Sequence, residues 1–443
     1  MRPRPRARRH SGPSAGPASR LTRPAPDWLI RAEARLTARL CADDPRPVAL
    51  ALSGGGDSVA LLHLVADWAG ARGRPLLALT VDHGLNPDSA DWTRRAGQAA
   101  RAAGADWRGL LWTGDKPPTG LPAAARTARH RLIADAAREA GAGVILFAHT
   151  ADDVAEGEIM RAEGATLGRL RDWSPSPVWP EGRGLMLLRP LLDARREELR
   201  DWLRDRGADW IEDPANADRR FARSRARQAL AAGVVAPTVP ELGATGGVLE
   251  VRDDVIRLSR EVSARALAAA LVCAGGGERP PRGDRLVGVG DRLRTGERFT
   301  AVLVGARIQA DGNEVLVMRE PGEHRREDRA PLPLPPGVEV VWDGRWALTA
   351  PEPGWFATAA VGRLAALSGA DRARLQPLPA AARAGRPVLI RNDPGAPLLA
   401  GSAFKAHALV EARLARALDG MTHEQDPDAN THGAPPRKHL FSA

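Results

Sequence analysis

Short apolar runs alternate with longer stretches of helical periodicity through the first half of the chain. The apolar runs cover residues 47–53, 75–82, 107–112 and 143–149. Residues 27–42 precede them and place Leu29, Leu36 and Leu40 on one helical face. Strands that alternate with helices at this spacing form right-handed βαβ units, so the pattern predicts an α/β fold with a doubly wound parallel sheet. Helices should cover both faces of that sheet.

The pattern changes in the second half of the chain. Residues 185–232 predict a strand, an amphipathic helix built on Leu199, Trp202 and Leu203, an acidic turn and a basic helix. A gap rich in Gly and Pro at 233–248 indicates a domain boundary. Beyond it the sequence predicts a helix at 252–274, strands at 299–308 and 313–320, a linker at 321–337 and a hairpin at 338–350 around Asp343 and Gly344.

The length of the chain, 443 residues, is too great for one ordinary domain. We predict a disordered basic arm at 1–26, an α/β domain at 27–235, a middle domain at 249–320, a C-terminal domain at 338–420 and a disordered tail at 421–443. The two later domains should be smaller, with helical and α+β character.

The composition favours a polyanionic partner. The formal net charge is +10 and the sequence pI is about 10.9, a balance common in proteins that bind nucleic acid or anionic membranes. A generally Arg-rich proteome is the alternative explanation. Cys41 and Cys273 lie far apart and offer no disulfide framework, CxxC pair or Cys-rich metal site. No stretch approaches the roughly 18 apolar residues of a membrane span, so we expect a soluble, cytoplasmic protein with no membrane partner.

The N-terminal arm, residues 1–26, contains seven arginines and no acidic residue. It lacks the apolar core that a secretory signal requires. Three interpretations stay open: an arm that contacts RNA, a segment similar to a transit peptide, or translation from a start codon placed too early.

Polar residues follow three of the predicted strands. These groups are Ser53 with three glycines, Asp82 with His83, and His149 with Asp152 and Asp153. In a doubly wound sheet the ligand crevice lies outside the carboxyl ends of the strands. The three groups should therefore open onto one edge of the sheet.

The first of these groups is the turn SGGGDS at 53–58, between a buried strand and a helix. Successive amide N–H groups in such a turn, together with the helix dipole, favour a bound anion, and glycine leaves room for a phosphate. The Asp57 carboxylate would repel a polyphosphate unless a divalent cation lay between them or it oriented the loop, so Mg²⁺ is implied. The spacing is that of neither a Walker A loop nor GxGxxG. A glycine-rich turn in which Asp57 caps the helix is the alternative.

The turn resembles the pyrophosphate-binding loop of the ATP pyrophosphatases, the PP-loop superfamily, whose nucleotide-binding domain is Rossmann-like. Four further segments, in order, are similar to those of the tRNA(Ile)-lysidine synthase family: 81–92, 148–156, 188–192 and 210–227. The similarity covers residues 44–232 well and the remainder only in general layout. It implies a ligase that joins free L-lysine to C2 of the wobble cytidine of an isoleucine tRNA with a CAU anticodon. The cytidine is first adenylated, and ATP becomes AMP and pyrophosphate.

The resemblance also implies the nucleotide site. The residues that would hold the ATP phosphates are Ser53, Gly54, Gly55, Gly56, Asp57 and Ser58. Asp57 and Asp152 would bind Mg²⁺ or orient the loop. Asp82 and His83 would lie beside the adenosine, with capping of the next helix as their alternative role.

Catalytic residues implied by the resemblance are Asp57, Asp152, His149 and Asp153. The last two match an HHxDD-like segment, in which Thr150 replaces the second His. A buried, satisfied histidine is the alternative for His149. The lysine amine must lose a proton before it attacks, and Asp153 or Glu156 could bind it or accept that proton.

Arginines on two predicted helices would contact tRNA phosphates, which should make the affinity fall steeply with salt. They are Arg126 and Arg129 on one helix and Arg223, Arg225 and Arg227 on the other. A solvated basic face is the alternative. The resemblance further implies that the downstream domains grip the tRNA, and a homodimer stays open. Rival functions are a tRNA cytidine thiolase, which generally relies on cysteines for sulfur relay or an iron–sulfur cluster and would have only Cys41 and Cys273 here, and a non-catalytic RNA-binding protein.

Overall fold

A six-stranded sheet forms the centre of the N-terminal domain. The computed structural model describes residues 25–165, 167–212, 222–238, 243–326, 330–391, 395–402 and 404–426. The strands are β1 (Val48–Ala51), β2 (Leu76–Asp82), β3 (Asp106–Leu111), β4 (Val144–Leu146), β5 (Trp173–Pro175) and β6 (Met186–Leu188). Their order is β3-β2-β1-β4-β6-β5, and every pairing is parallel except that of β5 with β6. The predicted doubly wound parallel sheet is confirmed.

Helices cover both faces of this sheet. They are α1 (Asp27–Arg39), α2 (Gly56–Gly70), α3 (Ser89–Ala102), α4 (Leu121–Glu139), α5 (Ala151–Ala162), α6 (Arg196–Asp205) and α7 (Ala222–Ala231). Val48 and Leu50 pack into one buried cluster with Trp28, whereas Ala49 packs into another with Ile133. Successive side chains of a strand point to opposite faces, so an uninterrupted apolar run fills both cores.

The chain reverses direction across the sheet at β1. It builds β2 and β3 on one side of β1 and then returns to place β4 on the other side. A crevice forms at such a switch point, outside the carboxyl ends of the two diverging strands. The turn after β1 and the N-terminus of α5, which follows β4, therefore lie at the same place.

The middle domain is an antiparallel sheet covered by two helices. Its elements are β7 (Val248–Arg252), β8 (Val255–Leu258), α8 (Ala264–Gly275), α9 (Gly283–Arg294), β9 (Phe299–Leu303), β10 (Ala306–Asp311) and β11 (Glu314–Arg319), with the strand order β7-β8-β11-β10-β9. The predicted helix at 252–274 is wrong before residue 264, because a hairpin turns at Asp253 with φ of 56°. The predicted single strand at 299–308 is two strands, since the chain turns at Val304 and Gly305, both with positive φ.

Two small sheets form the C-terminal domain. Its elements are α10 (Pro321–Arg326), β12 (Leu332–Leu334), β13 (Glu339–Trp342), β14 (Trp346–Thr349), β15 (Trp355–Ala359), α11 (Gly369–Leu375), α12 (Ala380–Ala384), β16 (Pro387–Arg391), β17 (Leu398–Leu399), β18 (Lys405–Ala408) and α13 (Val410–Ala417). A short 3₁₀ helix lies at Leu364–Ala366. The predicted hairpin is confirmed as β13 and β14, which pair antiparallel across Asp343 and Gly344. The predicted linker contains α10 and β12 instead.

Residues 421–426 pack against the N-terminal domain, so the predicted disordered tail does not begin at 421. Trp173 Nε1 donates to the carbonyl oxygen of Met421 at 2.7 Å, and Glu424 pairs with Arg74, both side chains being 1% exposed. Upstream of this segment, α13 packs its Val410 into the core of the middle domain. From the C-terminal domain the chain thus returns to the middle domain at α13 and to the N-terminal domain at 421–426. The described part ends at residue 426.

Several predictions lie outside the described residues. They include the basic arm up to residue 24, the tail from 427, and residues 213–221, which contain most of the acidic turn before the basic helix. Among the helices in the described ranges, none is both long enough and apolar enough to cross a membrane.

Candidate active site

The turn after β1 requires glycine at its centre. Gly54 has φ of 85°, and a Cβ there would lie 2.5 Å from Cδ1 of Ile211. The backbone N–H of Ile211 donates to the carbonyl oxygen of Gly54 at 2.9 Å. Only glycine tolerates both this backbone conformation and this close approach. Ile211, just before the acidic turn, therefore packs directly on the loop at 53–58, which we call the phosphate loop. The SGGGDS motif alone did not reveal this contact.

Two hydroxyl groups hold the loop in shape. Ser53 Oγ lies 3.1 Å from Ser58 Oγ, and Ser58 Oγ donates to the carbonyl oxygen of Gly55 at 2.9 Å. Ser58 is buried, whereas Ser53 is exposed at the mouth of the loop. Gly55 is the N-cap of α2, so the free amides of the first helical turn begin here. The arrangement suits an anion seated above the helix N-terminus.

Asp57 has one oxygen engaged and one without a partner. Arg196 Nε donates to Asp57 Oδ2 at 3.0 Å, while Oδ1 is buried and has no hydrogen-bond partner among the described residues. Burial raises the pKa of Asp57, and the neighbouring Arg196 only partly opposes that shift. An unpaired carboxylate oxygen beside a phosphate loop fits Mg²⁺, which commonly takes one or two carboxylates and completes its shell with phosphates and water.

Arg196 joins the acidic residues of two helices. Its Nη1 lies 3.2 Å from Glu156 Oε1 and its Nη2 lies 3.5 Å from Asp153 Oδ1. Its backbone N–H donates to Asp152 Oδ2 at 2.8 Å. Asp57, Asp153 and Glu156 raise the pKa of Arg196 above its ordinary value despite burial. The sequence predictions missed this residue, although a cation at the first position of a helix opposes the helix dipole and so indicates nearby carboxylates.

The N-terminus of α5 positions the acidic residues. Thr150 is the N-cap: its backbone N–H donates to Asp153 Oδ2 at 2.9 Å, and its hydroxyl accepts from the backbone N–H of Asp153 at 3.4 Å. The threonine that replaces the family's second histidine therefore closes a capping box. One oxygen of Asp153 belongs to this cap, and the other faces Arg196.

Glu156 attaches the basic helix α7 to α5. It is fully buried and accepts a hydrogen bond from Arg227 Nε at 2.8 Å, while Arg223 Nε lies 3.6 Å from its other oxygen. These two arginines are about two-fifths exposed, so part of each guanidinium still faces outward. The third predicted tRNA contact, Arg225, is exposed on the same helix.

His149 is buried and neutral. Arg189 Nε donates to His149 Nδ1 at 3.2 Å, and Phe147 stacks on the imidazole with 5.8 Å between ring centroids. Burial and the adjacent Arg189 hold the pKa of His149 well below its ordinary value. Because Nδ1 accepts a hydrogen bond, the neutral ring carries its proton on Nε2. His149 is therefore equipped to donate a hydrogen bond rather than to act as a base.

Arginines crowd the opposite wall of the crevice. Arg126 is exposed on α4 and Arg129 is half-buried one turn later. Burial, with Arg126 and Arg223 nearby, lowers the pKa of Arg129 to about 10. Like charges that lower each other's pKa gain most from a bound polyanion. The two predicted arginine groups therefore converge on one site from separate helices.

Asp82 and His83 lie at the carboxyl end of β2. Asp82 Oδ1 accepts from the backbone N–H of Gly84 at 2.8 Å, and the His83 ring meets Trp112 edge-on with 6.0 Å between centroids. The next helix begins at Ser89 with Asp88 as its N-cap, so the helix-capping alternative for Asp82 and His83 is wrong. Both residues remain available to a nucleotide base or ribose.

The described part of the crevice contains no preformed metal cage. Within the described ranges, no group of three or more His, Cys, Asp and Glu side chains is arranged to hold a metal ion. Asp152, the second predicted ligand, already accepts from the backbone of Arg196, and Arg195 Nη2 lies 3.9 Å from its other oxygen. The residues fit a metal that Asp57 would hold together with substrate phosphates.

The fold and the loop define the class of protein. Residues 29–233 match the family model of the PP-loop domain, an ATP-using domain. The chain is 52% identical over 371 residues to the tRNA(Ile)-lysidine synthase of Caulobacter vibrioides, across 83% of this chain and 90% of that protein. The synthase of Hyphomonas neptunium is 35% identical across 71% of this chain and 90% of its own length. That of Ruegeria pomeroyi is 34% identical across 88% and 93%. The chain belongs to the tRNA(Ile)-lysidine synthase family, which confirms the resemblance seen in the sequence.

Proposed function

We propose that this chain forms lysidine in an isoleucine tRNA, in the cytoplasm, from ATP and free L-lysine. In the first step O2 of the wobble cytidine attacks the α-phosphorus of ATP, and pyrophosphate leaves. In the second step the ε-amine of lysine attacks C2, the bond from C2 to the adenylated oxygen breaks, and AMP leaves with that oxygen. A carbonyl oxygen is a poor leaving group until it carries a phosphoryl group, so one difficult substitution becomes two easier ones.

The phosphate loop supports the first step. Amides at the start of α2 and the Ser53 hydroxyl face the position of the leaving pyrophosphate, where negative charge develops. Preorganised donors at such a position stabilise the transition state more than the ground state. Asp57 Oδ1 would hold Mg²⁺, and Asp152 would join it once its contact with the backbone of Arg196 is broken. The ion would neutralise the phosphates and favour departure of the pyrophosphate.

The acidic end of α5 supports the second step. Asp153 and Glu156, which are 9% and 0% exposed, form an acidic pocket that Arg196 joins to Asp57 of the phosphate loop. Such a pocket suits the lysine ammonium, and either carboxylate would bind it or take its proton. His149 would donate its Nε2 proton as a hydrogen bond to the cytidine or to a phosphate oxygen.

The arginines of α4 and α7 support the choice of tRNA as the partner. Arg126, Arg129, Arg223, Arg225 and Arg227 would contact phosphates of the anticodon arm, and the middle and C-terminal domains would hold the rest of the tRNA. The pair of cysteines does not favour sulfur transfer: Cys273 is buried in the middle domain, and burial raises the pKa of its thiol to about 11. A thiol of this kind is a poor source of thiolate.

The observation that carries the proposal is the placement of the acidic pocket beside the phosphate loop, with Arg196 touching both. Mass spectrometry of an isoleucine tRNA with a CAU anticodon, incubated with protein, ATP and lysine, tests it. A mass gain equal to condensed lysine at the wobble cytidine is expected, together with one AMP and one pyrophosphate. A gain equal to sulfur, or no gain beside a functional family member, would overturn it.

A further inference from the structure

One guanidinium stands between the place for nucleotide and the place for amine. Arg196 contacts Asp57 on α2 at 3.0 Å, and Glu156 and Asp153 on α5 at 3.2 Å and 3.5 Å. The Arg196 side chain is 16% exposed, and the three carboxylates are between 0% and 24% exposed. Arg223 and Arg227 also pair with Glu156, but it is Arg196 that contacts acidic groups belonging to two different ligand sites.

The position of Arg196 conflicts with a bound amine. An ammonium seated against Asp153 and Glu156 would lie beside a guanidinium within hydrogen-bonding reach of the same oxygens. The ammonium would add a further cation to carboxylates that already face Arg196, Arg223 and Arg227, and like charges repel strongly where the local dielectric is low. Lysine therefore binds well only when Arg196 gives up part of its contact with this pocket.

A nucleotide supplies the reason to move. The triphosphate would bring several negative charges to the N-terminus of α2, directly beside Asp57. The planar fork of arginine pairs with phosphate as readily as with carboxylate oxygens. In addition, the partnerless oxygen of Asp57 would draw that carboxylate toward a phosphate-bound cation, which loosens its contact with Arg196.

We propose that Arg196 is a positioning residue that makes lysine binding depend on nucleotide. Its guanidinium occupies the carboxylates of Asp153 and Glu156 until the phosphates of the nucleotide draw it toward the loop at 53–58. The inference rests on the proposed function for the identity of the amine. It assigns an order to the two ligands, with nucleotide before lysine. By linkage, lysine must also strengthen nucleotide binding by the same factor.

Calorimetric titration of lysine, with and without a non-hydrolysable ATP analogue and Mg²⁺, tests the coupling in the full-length protein without any turnover. In the wild type the analogue should strengthen lysine binding by about 5-fold to 150-fold, the usual range for coupled sites. Arg196→Gln removes the guanidinium that contacts both Asp153 and Glu156, so lysine should bind well without the analogue and the enhancement should fall to about 2-fold or less. Arg196→Lys keeps the positive charge on a shorter side chain, so it should retain part of the enhancement.

Arg204→Gln is the matched control. It removes the same charge from the same helix, but Arg204 is 54% exposed and pairs with Asp201 on the surface. It should behave as the wild type in every titration. The lysine analogue without an ε-amine, norleucine, should show no enhancement, because no cation competes with Arg196.

The outcomes separate this inference from the proposed function. Equal lysine affinity with and without the analogue in the wild type would overturn the inference, even where the enzyme forms lysidine. Full enhancement in Arg196→Gln would overturn it as well. Failure of the wild type to modify tRNA would instead count against the proposed function, since the titrations contain no tRNA.

Discussion

Two buried arginine–carboxylate networks in this chain use the same chemical groups for different ends. The site network comprises Asp57, Asp153, Glu156, Arg196 and Arg227, and the interdomain network comprises Asp254, Asp343, Arg319, Arg345 and Arg386. In the interdomain network Arg319 donates to both oxygens of Asp343, at 2.9 and 3.0 Å, and Arg345 bridges Asp343 and Asp254. Its members come from the middle and C-terminal domains, so it joins the two.

The two networks differ at one carboxylate each, Asp343 and Asp57. Burial alone would raise the pKa of Asp343, but Arg345 and Arg319 outweigh it and hold that pKa below its ordinary value. At Asp57 burial outweighs Arg196, and the pKa is raised. A buried carboxylate whose charge is fully compensated by arginines stabilises the fold. One that lacks such partners can still bind a ligand. Between Asp57 and Asp343, the deficit of partners, rather than burial itself, distinguishes the carboxylate of the candidate site.

Removal of Arg345 should have the largest effect on stability. The side chain is 0% exposed, and Arg345→Ala leaves Asp254 and Asp343 with less compensation. Breaking a buried pair by removing one partner costs about 3 to 5 kcal/mol, which denaturant unfolding would measure. Arg326→Ala, at a side chain 64% exposed, should change stability by less than about 0.5 kcal/mol. A loss below about 1 kcal/mol in Arg345→Ala would show that the interdomain network is dispensable.

Matched amide substitutions should separate the two networks directly. Asp343→Asn removes a charge whose folded-state pKa is lowered, so it should cost about 3 kcal/mol at neutral pH. That contribution is present above the unfolded pKa, about 3.9, and is lost as pH falls through the lower folded pKa. Asp57→Asn removes a charge whose folded-state pKa is raised, so stability at neutral pH should stay within about 0.5 kcal/mol or rise.

Activity should show the reverse order. Asp57→Asn should lower lysine-dependent and tRNA-dependent AMP release at least about 100-fold, as expected when a group that acts on developing charge is removed. Asp343→Asn should retain the wild-type rate below its unfolding temperature. Unchanged AMP release in Asp57→Asn would contradict the role of the loop.

The sequence predicted the parallel sheet and the loop because both depend on local patterns. An apolar run such as 47–53 must be buried on both faces of its strand. Three glycines before Asp57 indicate a tight turn whose backbone other residues could not follow. For Arg196 the local pattern, a cation at the start of a helix, indicates nearby carboxylates but does not identify them. Its role depends on contacts with Asp57 on α2 and Asp153 on α5. These residues lie 139 and 43 positions before Arg196 in the sequence, and the three meet only in the folded protein.

The middle domain shows a different limit. Residues 252–258 were predicted as part of a helix, yet they form a hairpin because Asp253 adopts a positive φ and the strand pairs with β11. Tertiary pairing overrides a weak local preference in such a segment. The segment at 421–426 was likewise predicted as disordered, since a polar sequence gives no sign of a partner as distant as Arg74.

The pair of Arg74 and Glu424 offers a smaller test of the same comparison. Both side chains are 1% exposed, and Arg74 Nη2 donates to Glu424 Oε2 at 2.8 Å. Glu424→Gln keeps the shape but removes the charge, so it should cost about 1 to 3 kcal/mol with no change in the rate of AMP release. Truncation after residue 420 should give a similar loss of stability. Reduced AMP release in a folded Glu424→Gln protein would place this pair with the site network instead.

The smallest expected effect concerns the arginines that border the site network. Arg126 is exposed and, within the described ranges, forms no ion pair with a carboxylate, so a tRNA phosphate is its natural partner. Arg126→Gln should weaken tRNA binding a few-fold at low salt and reduce the slope of log affinity against log salt by about 0.7 to 0.9. Filter binding across a salt series measures both quantities, with Arg204→Gln as the control of equal charge. Because Arg386 of the interdomain network is already paired with Asp253 and Asp254, Arg386→Gln should leave the slope unchanged. An equal loss of slope in Arg126→Gln and Arg386→Gln would mean that the protein's overall charge, not the arginines of the crevice, governs tRNA binding.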